Sequence, residues 1–182
     1  MKFILVLFAL LLCCSTPAPA EVPELKEVPT NTADESYSNE PDGFRGIPWG
    51  ASLASVKGLT FVLKDDEDVK YYTRKADQLT VGAAKVKSIA YGFWKGKFYS
   101  ATFKFKGSHN WKIIIGTLLS KFSGDELPAG SQYIWRGPAT GITATFNEVS
   151  MEGTVAMMSS VVQSEISSAL EKIITDNSDK GF

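Results

Sequence analysis

The sequence predicts an α+β domain, an antiparallel sheet built on a long central hairpin with two to three helices packed on one face. Three observations predict it. Residues 85–106, KVKSIAYGFWKGKFYSATFKFK, form two alternating runs about a tight turn. Residues 108–124 carry an apolar stripe at helical spacing. The remaining β-prone runs follow one another across short turn signals, as in antiparallel sheets, and do not alternate one by one with helices.

The chain begins with an export pattern. Lys2 supplies a positive start, residues 3–12 an apolar run, and Ala18-Pro19-Ala20 a small-residue cleavage signature, so 1–20 are read as a signal peptide and the domain as secreted or periplasmic. The run is about half the roughly 20 residues of a membrane span, and no transmembrane span is expected after cleavage. Both cysteines, Cys13 and Cys14, end that run. Either could carry a lipid anchor to the envelope, although neither follows the small residue that lipoprotein signals place there. Ordinary cleavage leaves no cysteine, which removes disulfides, thiol nucleophiles and cysteine-ligated metals together.

Residues 21–43 read as a disordered acidic tether, poor in large apolar side chains and rich in Pro, Glu, Ser, Thr and Asn. Seven acids and one lysine in 21–42 give −6, whereas seventeen bases and thirteen acids in 44–182 give +4. The near-neutral chain thus joins an acidic tail to a mildly basic domain, read as a single unit over 44–176 with a frayed tail at 177–182.

Within the domain, Ile47-Pro48-Trp49-Gly50 predicts an extended entry and a turn. Ser52 is placed to cap a short helix that carries Leu53 and Val56 inward and ends at Gly58. Strands are expected at 60–64 and 69–75, joined across Asp65, Asp66, Glu67 and Asp68. That acidic run lacks the spaced ligands and glycine of a calcium loop and reads as a solvated tip that can neutralise basic neighbours.

A two-residue turn at Lys95-Gly96 sets Trp94 opposite Lys97, Gly92 opposite Tyr99, Ala90 opposite Ala101 and Ser88 opposite Phe103. One hairpin face then carries Val86, Ala90, Trp94, Tyr99, Ala101, Phe103 and Phe105, and is expected to lie under helices. The other face carries Ile89, Tyr91, Phe93 and Phe98 near the turn and Lys85, Lys87, Lys104 and Lys106 at the open end. Lys87 would oppose Lys104 and Lys85 would oppose Lys106, an unfavourable pairing unless acids or an anionic partner intervene. Lys85, Lys87, Tyr91, Phe93, Phe98, Lys104 and Lys106 therefore form the candidate binding face.

Trp111, Ile114, Ile115, Leu118, Leu119 and Phe122 make the stripe of the next helix, with Ser108 or Asn110 as its cap. Strands at 132–136, 141–148 and 153–158 follow, and a last helix spans 161–175. Ser160 and Gln163 are spaced as its capping box, and Val162, Ile166, Ala169, Leu170 and Ile173 line one side. Each half of the chain would then be a helix followed by strands, although no clean repeat is visible.

Several of these segments carry a resemblance. Phe44 to Gly50 (FRGIPWG), Tyr72 to Lys75 (YTRK), Tyr91 to Phe98 (YGFWKGKF), Asn110-Trp111 and Asn147 to Thr154 (NEVSMEGT) resemble an uncharacterised family of secreted bacterial proteins with an F-R-G-I-x-W-G entry motif. The likeness covers most of 44–182 and implies fold and compartment only. Gly50-Ala51-Ser52 followed by Val56 is also similar to the G-x-S-x-x-x-V helix start of SmpA/OmlA-type envelope lipoproteins and of the β-lactamase-inhibitor fold, which are binding proteins.

Catalytic patterns are absent from the linear sequence. His109 is the only histidine, and there is no G-x-S-x-G elbow, Walker loop or dinucleotide glycine pattern. The sequence is read as non-enzymatic, without metal or cofactor. Lysines interleaved with aromatics suit single-stranded nucleic acid in a cytosolic protein, but the export signal excludes that partner. An acidic envelope protein or an anionic lipid or polysaccharide takes its place. The alternatives are a structural envelope lipoprotein, and a hydrolase whose cleft is assembled from separate loops.

Overall fold

The computed structural model describes residues 40–122 and 131–178. The expected signal peptide, both cysteines and most of the tether lie outside the described residues, as do Gly124 and the last four residues of the chain. The protein is mostly antiparallel sheet with two helices, an α+β structure.

Two short strands open the described chain, β1 (Gly43–Phe44) and β2 (Ile47–Pro48), paired as a small hairpin. A 3-10 turn, Leu53–Ser55, stands where a short helix was expected, and Ser52 Oγ accepts from the Ala54 N–H at 3.3 Å as its cap. Next come β3 (Leu59–Lys64), β4 (Val69–Arg74), β5 (Thr80–Val81), β6 (Ala84–Trp94) and β7 (Lys97–Lys106). Helix α1 (Ser108–Lys121), β8 (Gln132–Arg136), β9 (Thr140–Asn147), β10 (Glu152–Ser159) and α2 (Ser160–Ser178) complete the order. The main sheet runs β3-β4-β6-β7-β10-β9-β8, with β5 beside the start of β6. From each edge the strands step inward in chain order, β3-β4-β6 and β8-β9-β10, and meet on β7.

Strands β6 and β7 join through Lys95 and Gly96, both at positive φ, so the turn twists with its strands. Their register corrects the sequence-based pairing. Trp94 opposes Lys97 and Phe93 opposes Phe98 as the turn requires, but Gly92 opposes Ser100, leaving Tyr99 as an extra residue in β7. One such bulge shifts every later pair by one and exchanges the faces. A second irregularity at Lys87 returns Val86 to the side of Phe105.

The consequence is a different core. Ile89, Tyr91, Phe93 and Phe98 join Val86, Ala101, Phe103 and Phe105 in the main buried cluster, together with Ile114, Ile115 and Leu118 of α1. Trp94 and Tyr99 lie on the opposite face with Val69, under Val162 and Ile166 of α2. The helices thus cover opposite faces, not the single face expected. Both faces of the turn end carry large apolar side chains, and each face needs its own cover.

The helix details differ in the same way. Neither Ser108 nor Asn110 caps α1, whose N-cap is Gly107 without a side-chain bond. At α2, Ser159 Oγ accepts from the Val162 N–H at 3.3 Å, and Gln163 bonds the Tyr99 hydroxyl in place of a capping box. Beyond Ala169 the apolar stripe of α2 runs past its support, leaving Leu170, Ile173 and Ile174 exposed. Helix α2 continues to Ser178, and the rest of the expected tail lies outside the described residues.

The tether ends earlier than its composition suggested. The Glu40 carboxylate accepts from the N–H groups of Ala139 and Thr140, and Pro41 O accepts from Thr140 Oγ1 and, at 3.0 Å, from Trp49 Nε1. Trp49 then stacks on Phe98, ring centroids 5.0 Å apart, while Gly50 and Ala51 exchange backbone bonds with Phe98. The entry segment therefore lines the start of β7, where β10 has not yet begun to pair.

Candidate functional site

The candidate face divides. Tyr91, Phe93 and Phe98 are core residues, 0%, 1% and 0% exposed, and present no ring to a ligand. Phe93 meets Tyr72 edge-on at 5.6 Å and Phe98 at 5.3 Å. The lysines remain at the surface, because the bulges that turn the aromatics inward leave Lys85, Lys87, Lys104 and Lys106 exposed.

No lysine opposes another across β6 and β7. Lys104 faces Ser88 on one side and Thr154 on the other, Lys106 faces Glu152, Lys85 faces Thr80, and Lys87 is the extra residue. The bulge thereby removes the like-charge ladder that regular pairing imposes. Asn110 fastens this end of the hairpin to α1. Its Oδ1 accepts from the Lys85 N–H at 3.0 Å, and its Nδ2 donates to Lys106 O at 2.8 Å.

Glu152 is the residue that the sequence reading missed. Lys87 Nζ donates to its Oε1 at 2.7 Å, and Lys106 and Lys104 add their charges. The hydrogen bond from Lys87 and then its charge hold the Glu152 carboxyl below the ordinary range. The partner expected for the lysines was instead the acidic tip at Asp65 to Asp68. That tip adjoins Val69, which pairs with Trp94 beside the hairpin turn, at the end away from the lysines. It is satisfied locally, with Asp65 accepting from the Val69 N–H at 2.8 Å and the Tyr71 hydroxyl at 2.9 Å, and Lys64 pairing Asp68 at 3.0 Å. His109 is exposed at the start of α1.

A second polar centre, which the sequence reading did not single out, lies at the β1–β2 turn. Arg45 occupies the turn of the β1–β2 hairpin with φ +51°, a left-handed conformation that costs an L-residue about 1–2 kcal/mol. Its guanidinium holds it there by pairing with Asp77 and donating to the carbonyls of Gln78, at 2.7 Å, and Thr80, at 2.6 Å. The second Asp77 oxygen accepts from the Tyr91 hydroxyl at 2.6 Å. Residues far apart in sequence thus tie the entry hairpin, the 75–80 loop and the core together. Only the Arg45-Gly46 pair, a two-residue turn sequence, marked this position locally.

No family model, curated protein or solved structure matches this chain. Among the described residues no helix is long and apolar enough to cross a membrane.

Proposed function

We propose that this chain is an exported, non-enzymatic domain that binds an anionic envelope partner through the lysine end of its central hairpin. The single observation that carries the reading is that Lys87, Lys104 and Lys106 act on one carboxylate, Glu152, with Lys85 exposed at the same end of the hairpin, so four positive charges against one leave +3 on an exposed strand surface. Such an exposed charged surface suits a partner that repeats its charge along a chain or a bilayer, because each added contact contributes and no pocket is needed. Loss of the aromatics from this face removes base stacking from the reading and leaves charge as its basis. Export rests on Lys2, the apolar run and the Ala18-Pro19-Ala20 signature.

Binding of the mature chain to dextran sulfate and to phosphatidylglycerol vesicles at low salt tests it. The wild type is expected to bind one of them with an affinity that falls as salt rises. Changing Lys85, Lys87, Lys104 and Lys106 together to Glu is expected to abolish binding. A folded quadruple variant that binds as well as the wild type overturns the reading.

A further inference from the structure

Arg45 and Arg74 separate two open basins of about 630 and 330 Å³. The larger is bounded by Lys75, Asp77 and Thr80, the smaller by Pro48, Ser55 and Lys57. Both volumes fall within or near the range of small-ligand sites.

The two arginines differ in what they have left to offer. Arg45 is neutralised by Asp77 and has directed its Nη2 at two carbonyls. Arg74, at the end of β4, is half-buried, and among the described residues its guanidinium has no hydrogen bond or ion pair. It nonetheless lies close enough for its charge, like that of Arg45, to act on the Tyr91 phenol. Lys57 and Lys75 are exposed and likewise unpaired among the described residues. With Arg45 and Asp77 cancelling, Arg74, Lys57 and Lys75 leave +3 about the cleft. A partly desolvated guanidinium with free donors is costly unless an acceptor is present, and its planar fork matches a carboxylate or phosphate group.

We propose that this cleft binds a small soluble oxyanion, a phosphate- or carboxylate-bearing molecule gripped by Arg74 and flanked by Lys57 and Lys75. Arg45 acts as a positioning residue, holding the 75–80 loop that forms one wall. The ends of the ligand occupy the two basins. None of Lys85, Lys87, Lys104 and Lys106 lines either basin, although Thr80 at the rim pairs with Lys85, and the proposal does not depend on the lysine surface.

Titration of the full mature chain with inorganic pyrophosphate and with citrate, followed by amide and arginine Nε NMR shifts, tests the proposal. The expected result is saturable binding of at least one anion, with shifts confined to Lys57, Arg74, Lys75 and the residues around the two basins. Arg74→Gln is expected to weaken binding at least about tenfold, and Arg74→Lys to restore only part, since an ammonium keeps the charge but loses the fork. Lys57→Gln with Lys75→Gln, both at exposed sites, provides an independent variant and is expected to weaken binding several-fold. Lys104→Glu with Lys106→Glu leaves it unchanged, so failure of the polyanion reading would not carry over. The proposal is overturned by an absence of saturation at about 10 mM of either anion, by equal affinity in the folded cleft variants, or by binding only to anionic vesicles.

Discussion

The Tyr91 hydroxyl donates a 2.6 Å hydrogen bond to Asp77, whose other carboxylate oxygen receives the Arg45 guanidinium. Asp77→Ala strands both donors in a half-buried setting and is expected to cost about 2–4 kcal/mol. Tyr91→Phe leaves Asp77 paired with Arg45 and is expected to cost about 1–2 kcal/mol. Urea unfolding midpoints check both, and a larger loss in Tyr91→Phe than in Asp77→Ala would contradict this account.

Tyrosine ionisation extends the same relationship to pH. Burial first, and then the hydrogen bond to Asp77, push the Tyr91 phenol far above its ordinary value of 10.0. Burial followed by the Asp65 bond does the same for Tyr71, and burial with the charges of Glu67 and Asp65 raises Tyr99. The folded state keeps these protons where the unfolded chain releases them. Stability is therefore full below about pH 10 and falls as pH rises beyond it. Absorbance titration is expected to show these three phenols ionising late, together with unfolding. Ordinary ionisation of all six tyrosines in a still-folded chain would contradict it.

Gly153 lies directly under the Phe105 ring, and an added Cβ would overlap it. That ring stacks on Trp111 and Phe146 at centroid distances of 6.0 and 6.1 Å. Gly153→Ala is expected to destabilise the protein by about 1–3 kcal/mol through overpacking, with displaced aromatic resonances as the accompanying sign.

Glu152→Gln removes the only carboxylate paired with Lys87 among the described residues. Dextran sulfate is expected to bind this variant several-fold more tightly at low salt, with the urea midpoint unchanged because the ion pair is exposed. Weaker binding would show that Glu152 organises the lysines instead of masking them.

Phe61, Val62 and Leu63, 55%, 52% and 51% exposed, lie on β3, an edge strand of the sheet. An apolar edge offers unpaired backbone groups to other chains. Val62→Lys, at the irregular position of β3, is expected to lower light scattering on concentration without shifting the thermal midpoint. Undiminished scattering would place the sticky surface elsewhere.

Much of the fold was legible because its signals are local. Alternation marked β8, β9 and β10 to within one or two residues, and the spacing of Ile114, Ile115 and Leu118 marked α1. The candidate face was half legible. Exposure of the lysines follows from their charge, but the aromatics were misplaced by the bulge at Tyr99, which the alternating pattern of 97–106 does not announce. Glu152 was missed because it neighbours Lys87 only after β10 pairs with β7.

The sequence by itself determined the longer strands and the two helices, the turn at Lys95-Gly96, and that its lysines outnumber the acids near them in the hairpin, while the short β1, β2 and β5 and the 3-10 turn at Leu53–Ser55 escaped it. Periods of 2 and 3.6 residues and the chemistry of tight turns act over a few residues, and so can be read from a few residues. The tertiary structure alone decided which hairpin face is core, that α1 and α2 cover opposite faces, and that Arg45, Asp77 and Tyr91 converge while Arg74 keeps its guanidinium unpaired among the described residues. These outcomes depend on register and on burial against residues distant in sequence. A shift of one residue in a strand reverses every face that follows it.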